Sequence, residues 1–229
     1  MTRVLFISGT GTGVGKTWVT RGLARALVRQ GDNVAALKPI ETGCDPEPAD
    51  ARAIARACGR PELASGAGLY RARPPLAPWA ATLEGEPPAS LPSIVAATRA
   101  LSGSADIALI EGAGGLLVPL DATADMADLA LALEAELVLV GEDRLGVLSH
   151  VLSAVAAAHA RSLSVRAVIL TRHSEADASR STNARILKER LGCPVVPFPS
   201  APDDDEALAD AASEALAALN LARARRAAP

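Results

Sequence analysis

With 229 residues, the chain is long enough for one sizeable core and marginal for two. Apolar residues make up 49% of it and charged residues 21%, which describes a globular protein, and a net charge of −3 excludes the basic excess that a nucleic-acid backbone requires of its binders. Aromatic residues amount to 2%, so platforms for stacked bases are nearly absent and the core has to be built from Ala, Leu, Val and Ile.

Residues 4–8 are an apolar run of strand length, preceded only by Met1-Thr2-Arg3, which lacks the long apolar core and cleavage site of a secretion leader. Nowhere do about 18 apolar residues run together as a membrane span requires. Cys44, Cys58 and Cys193 show no close spacing, so reduced thiols and a cytoplasmic location are expected rather than a disulfide framework or a zinc site. The first strand runs directly into Gly9-Thr10-Gly11-Thr12-Gly13-Val14-Gly15-Lys16-Thr17, after which apolar positions three or four apart predict a helix over 18–29. Glycines let successive N–H groups turn inward onto phosphate oxygens, and the helix that follows adds its positive end. Lys16 then reaches the terminal phosphates and the Thr17 hydroxyl is placed for magnesium, so a nucleoside triphosphate is the expected ligand. The usual loop has four residues between its first Gly and the Gly-Lys pair. Here Gly9 lies one residue earlier than that position.

The next strand, 33–37, ends in Lys38-Pro39, with Thr42-Gly43 beyond. A lysine there either snorkels to solvent or faces the ligand region as a second positive charge. A helix over 49–58 places Ala51, Ile54, Ala55 and Cys58 on one face and stops at Gly59. Asp50 opens it, and two roles, helix cap and metal ligand, fit equally well. Prolines break 74–92 into loops around a short helix at 79–83, and 93–101 is helical. A strand over 107–111 ends on Glu111, followed by Gly112-Ala113-Gly114-Gly115. Because ligands gather at the carboxyl ends of parallel strands, Glu111 is expected near Thr17 as an acidic metal ligand. Helices at 126–132, 149–161, 178–191 and 205–219 alternate with strands at 137–140, 167–171 and 195–196. Continuous apolar strands separated by helices predict an α/β fold of the phosphate-loop NTPase kind, a parallel sheet with helices on both faces in a single domain over 1–222. The basic residues Arg223, Arg225 and Arg226 belong to a solvated tail, 223–229.

Together these segments resemble the dethiobiotin synthetase family, the ATP-dependent enzymes of biotin biosynthesis. The phosphate loop with its five-residue gap, Lys38-Pro39-Ile40-Glu41-Thr42-Gly43-Cys44, Asp50-Ala51, Pro78 with Glu84-Gly85, Glu111-Gly112-Ala113-Gly114-Gly115, and Leu145-Gly146 followed by Ser149-His150 occur in the family's order across roughly residues 3–175. The resemblance implies ATP and Mg2+ as cofactors, and 7,8-diaminononanoate and CO2 as substrates, joined through a phosphorylated carbamate into a cyclic urea. It implies that Lys16, Lys38 and Thr12 are catalytic, and that Thr17, Asp50 and Glu111 surround the metal. Gly13, Val14, Gly15, Trp18, Gly112, Ala113 and Gly114 would line the nucleotide, with Thr171, Arg172, Pro199 and Ser200 at its base. Thr12, Lys38, Thr42 and Gly114 would hold the diamine. Its carboxylate would lie at the helix start Gly146, Val147, Leu148 and Ser149 of a partner subunit, in a homodimer with shared active sites. His150 reads as a structural histidine. Family members commonly carry Asn where Ser149 stands and an Asn-Asp pair where Thr171-Arg172 stands, which opens the site to triphosphates other than ATP. Three other readings share the loop: a deviant phosphate-loop regulatory or partitioning ATPase, an amide-forming ligase of the cobyrinic acid synthase type, and a paralogue acting on a different substrate. The first usually has a lysine early in the loop, where Gly11 stands here.

Overall fold

The computed structural model describes residues 2–172, 175 and 177–221. Among them are eight strands: β1 (Arg3–Gly9), β2 (Val34–Leu37), β3 (Ile40–Thr42), β4 (Tyr70–Ala72), β5 (Ile107–Gly115), β6 (Glu136–Glu142), β7 (Val165–Thr171) and β8 (Val195–Phe198). The helices are α1 (Lys16–Arg29), α2 (Ala49–Ala57), α3 (Pro78–Leu83), α4 (Leu91–Ser102), α5 (Met126–Ala132), α6 (Val147–Ala160), α7 (Asn183–Arg190), α8 (Asp205–Ala211) and α9 (Ser213–Ala218).

Six strands form one sheet in the order β2-β5-β1-β6-β7-β8, with every neighbouring pair parallel. The strand sequences explain this. Each is a continuous apolar run buried on both sides, as a sheet covered by crossover helices requires. In β7, Ala167 and Ile169 join the larger apolar cluster, whereas Val168 and Leu170 join a smaller one with Val147, Val151 and Val155 of α6 and Leu187 of α7. Alternate residues of one strand thus feed two cores, one on each face of the sheet. The α/β parallel-sheet expectation holds, as a single domain; the tail 223–229 lies outside the described residues.

Several boundaries differ from the expected ones. The three-residue strands β3 and β4 pair with each other in parallel and were invisible to periodicity, since so short a run shows no alternation. The strand expected over 107–111 continues through its glycines to Gly115. The helix expected over 178–191 divides into a 3-10 turn, Ala178–Ser181, and α7, because Asn183 turns its amide into the sheet to donate to Asp143 Oδ1 at 3.0 Å. The helix expected over 205–219 breaks only at Ala212, whose N–H is shared between Leu208 O and Ala209 O at 3.0 and 3.3 Å.

Helix α8 lies along α1, joined by ion pairs that include Arg21–Asp205 at 2.7 Å, Arg25–Glu206 and Arg29–Asp210 at 2.7 Å. Such surface pairs are worth about 0.2–1 kcal/mol each. The tighter constraint is Gly22 of α1, where an added Cβ would stand 2.5 Å from Leu208 O and 3.1 Å from the Phe198 ring. Gly22→Ala should therefore destabilise the fold by about 1–3 kcal/mol through overpacking, and Arg25→Ala by about 1 kcal/mol at most. Denaturant midpoints check this; a Gly22→Ala protein as stable as the parent would contradict the close α1–α8 packing.

Candidate functional site

The loop between β1 and α1 is shaped by two glycines in particular. A Cβ at Gly9 would meet Gly11 O at 2.6 Å, so the chain folds back on itself there. Gly15 has φ 86° as the N-cap of α1 and supplies no side-chain cap, which leaves the first-turn N–H groups directed at a ligand. The tip of β7 supports the loop: Thr171 Oγ1 donates to Val14 O at 2.8 Å, and a Cβ at Gly15 would meet Thr171 Cγ2 at 2.9 Å. Lys16 is 6% exposed, and its Nζ donates to Gly11 O at 2.9 Å. Burial holds this ammonium below the usual lysine range; Glu111 opposes that effect and Lys38 adds to it.

Glu111 is wholly buried behind Thr17 and Lys38. Its Oε1 accepts from Thr17 Oγ1 at 2.9 Å and pairs with Lys38 Nζ at 3.0 Å, and its Oε2 accepts from Thr20 Oγ1 at 2.7 Å. The sheet arranges this. Leu37 of β2 is in register with Ile110 of β5, so Lys38 and Glu111 emerge side by side one residue later. Lys38 Nζ also reaches Asp50 Oδ2 at 2.5 Å. Burial works against its charge, but Glu111 and Asp50 outweigh it and hold the Lys38 ammonium above the ordinary range.

Of the two roles open to Asp50, the cap is taken by another residue. Asp50 lies inside the first turn of α2, whose N-cap is Pro48, and Glu41 accepts from the backbone N–H groups of Asp50 at 2.9 Å and Ala51 at 2.8 Å. Sequence reasoning gave Glu41 no role; the clue was a helix opening Pro48-Ala49 without a side-chain oxygen to cap it. Thr20 was also missed, although it follows Thr17 by one helical turn.

Lys16, Thr17, Lys38 and Asp50 border a cleft of about 600 Å³. Its lining combines the phosphate-loop residues Thr12, Gly13, Gly15, Lys16, Thr17 and Trp18 with the charged Lys38 and Asp50 and with Ala113 and Gly114. Thr42, Pro75, Leu76, Ala77, Pro78 and Val118 complete it. Ionic and apolar side chains therefore share one cleft. Gly112 is outside the cleft lining, and a Cβ there would strike the Phe6 ring at 2.8 Å. Thr171, Arg172, Pro199 and Ser200 gather at the tips of β7 and β8: Arg172 N donates to Phe198 O at 3.1 Å and its Nε to Asp143 Oδ2 at 3.0 Å. Gly146, Val147, Leu148 and Ser149 start α6 outside this cleft, with Val147 buried in the smaller core. Exposed His150 of the same helix lines a separate groove with Thr10, Thr12, Leu117 and Ala154. His173 lies outside the described residues.

Among the described residues no three His, Cys, Asp or Glu side chains cluster as a metal cage. The Thr17 hydroxyl with the Asp50 and Glu111 carboxylates is the sparser donor set suited to Mg2+, which keeps waters and phosphate oxygens in its shell.

A family model described as an AAA domain matches residues 3–200. An ATP-dependent dethiobiotin synthetase BioD from Anaeromyxobacter dehalogenans is 40% identical over 88% of this chain and 92% of its own, and one from Haloferax mediterranei is 36% identical over 84% and 82%. Among solved structures, the septum site-determining protein MinD of Pyrococcus horikoshii with Mg-ADP is similar with a TM-score of 0.56 and 24% identity, covering 92% of this chain and 86% of MinD. The signal recognition particle receptor FtsY of Elizabethkingia anophelis with GDP has a TM-score of 0.56 and 16% identity, over 92% and 63% of the two chains. These two likenesses are of fold.

Removing one member of a buried ion pair costs about 3–5 kcal/mol, because the partner is left charged and unpaired. Lys38→Met should show a loss of that size in chemical denaturation, and adding Glu111→Gln should restore part of it. Additive losses in the double variant would contradict the coupling.

Proposed function

The chain belongs to the ATP-dependent dethiobiotin synthetase family, and we propose that it performs that ligase reaction, forming C–N bonds at the cleft described above. One amine of 7,8-diaminononanoate adds to CO2 to give a carbamate and a proton. A carbamate oxygen attacks the terminal phosphorus of ATP and ADP leaves. The second amine attacks the carbonyl carbon, phosphate leaves with its bonding electron pair, the attacking nitrogen gives up a proton, and a cyclic urea remains.

The observation that carries this reading is the presence of two lysines, a carboxylate and a set of apolar side chains around one cleft. The diamine has an aliphatic chain, which suits Pro75, Leu76, Ala77, Pro78 and Val118. Its reacting end has to meet a polyphosphate. Two like unit charges about 4 Å apart repel by about 4 kcal/mol at an effective dielectric constant of about 20, so the carbamate needs cations to approach the terminal phosphate. Lys16 and Lys38 border the cleft for that purpose. Thr12 and Thr42 would orient carbamate and diamine by hydrogen bonds. Thr17, Asp50 and Glu111 would hold Mg2+, which when bound offsets charge on the phosphates.

The remaining assignments are parts of the same proposal. Thr171, Arg172, Pro199 and Ser200 frame the nucleobase end, where the Thr171 hydroxyl is engaged on Val14 O and Arg172 on Asp143. Such engagement supports tolerance of triphosphates other than ATP. A second copy of the chain would supply Gly146–Ser149 to the substrate carboxylate; the start of α6 lies outside the cleft of its own subunit, and Leu117 and Leu145 beside it are 53% and 82% exposed. No described helix is long and apolar enough to cross a membrane, and three free cysteines and ATP use suit the cytoplasm. A regulatory or partitioning ATPase is the less supported reading, because the resemblance to MinD at 24% identity is one of fold, and Gly11 stands where such proteins have a lysine.

Bicarbonate, 7,8-diaminononanoate, ATP and magnesium together should yield the cyclic urea and phosphate in equal amounts. Lys16→Ala should lower kcat by at least about 100- to 1,000-fold, the scale for losing one group that stabilises developing charge. Phosphate released without urea would favour the switch module, and neither product would mean a different substrate.

A further inference from the structure

We propose that Glu41 is a positioning residue that aims Asp50 into the nucleotide site, an inference that rests on the reading of that site given above. Glu41 sits in β3, is 6% exposed, and does not line the cleft. Its two carboxylate oxygens accept from two consecutive backbone N–H groups, Asp50 at 2.9 Å and Ala51 at 2.8 Å. Two bonds to one planar carboxylate fix both the place and the rotation of that peptide. The Asp50 side chain, by contrast, is 45% exposed, so its own packing does not locate it. What sets the direction of its carboxylate toward Lys38 is the backbone that Glu41 holds.

The frame behind Glu41 is itself tied down. Glu41 is in register with Arg71 of β4, and Arg71 donates to Pro39 O at 3.2 Å and Ala64 O at 3.0 Å. Cys44 Sγ donates to Glu41 O at 3.5 Å. The strand that follows Lys38 and the helix that carries Asp50 are thereby clamped together, through a side chain nine residues upstream of Asp50 rather than through a local cap. Changing an outer group that orients a metal ligand typically costs about 10- to 100-fold in metal affinity. Glu41 has that relation to Asp50.

The test is calorimetric titration of the whole protein with a non-hydrolysable ATP analogue, with magnesium and again with a chelator. It compares the parent, Glu41→Gln, Glu41→Ala and Asp50→Ala. In Glu41→Gln the amide oxygen keeps one bond while the NH2 group faces the other N–H. This variant should weaken magnesium-dependent binding by about 10- to 100-fold, approaching Asp50→Ala, while binding of the metal-free analogue stays at the parent's level. Glu41→Ala should lose at least as much, and Glu41→Gln, the same size as the parent residue, carries the test if Glu41→Ala does not fold. In steady-state assays the KM for magnesium-ATP should rise in both variants and the KM for the diamine should not. Parent-like magnesium-dependent binding in Glu41→Gln would overturn the proposal. An equal loss with and without metal would do so too, since it would mark a general disturbance. A parent protein without any magnesium-dependent binding would overturn the reading of the site, and the proposal with it.

Discussion

A carboxylate with no exposure to water governs this structure. Glu111 stands midway along β5 in the middle of a sheet of apolar strands, where an unpaired charge would cost several kcal/mol. Three donors from two other elements make its burial tolerable: Lys38 from the end of β2, and Thr17 and Thr20 from one face of α1. That requirement ties the register of the β2–β5 pair to the placement of the helix behind the phosphate loop. It also fixes which side chains meet at the cleft, before any ligand arrives.

The two lysines of the site are held by opposite balances. For Lys16 burial prevails, and its ammonium is kept below the ordinary range while it donates to the loop carbonyl of Gly11. For Lys38 the neighbouring carboxylates prevail, and the ammonium stays charged far into alkaline conditions. The linkage signs follow. The stability Lys38 contributes is present below its unfolded value and is lost only as pH rises through its higher folded one. Lys16 costs stability at neutral pH, and that cost is relieved as pH rises from its lowered folded value toward the ordinary one. A depressed lysine whose charge lacks a carboxylate in contact gains from a polyphosphate, so ligand affinity and the cost of burying Lys16 have a common origin.

The elements most legible in the sequence were those whose signal is local. A strand, a glycine-rich turn and a helix in immediate succession, and an acid ending an apolar run before glycines, each leave a pattern within ten residues or so. The parallel sheet followed from continuous apolar strands. What sequence reasoning missed depends on distant partners or on runs too short for a period. Strands β3 and β4 are three residues each. The cap of α2 comes from Glu41 rather than from a neighbouring residue, and Thr171 supports a loop carbonyl from across the sheet. Asn183 divides a helix because its amide bonds a buried aspartate forty positions away. Gly112 shows a packing requirement that the sequence hides: the Phe6 ring leaves no room for a side chain there.

The convergence of Lys16, Lys38, Thr17 and Glu111 on one polyphosphate is the claim on which the account stands. A crystal structure with magnesium and a non-hydrolysable ATP analogue tests it most directly. The account predicts the terminal phosphate within about 3 Å of both lysine ammonium groups, with Thr17 and Glu111 on the metal side of it. A terminal phosphate bound away from Lys38, with Glu111 remote from the nucleotide, would contradict it.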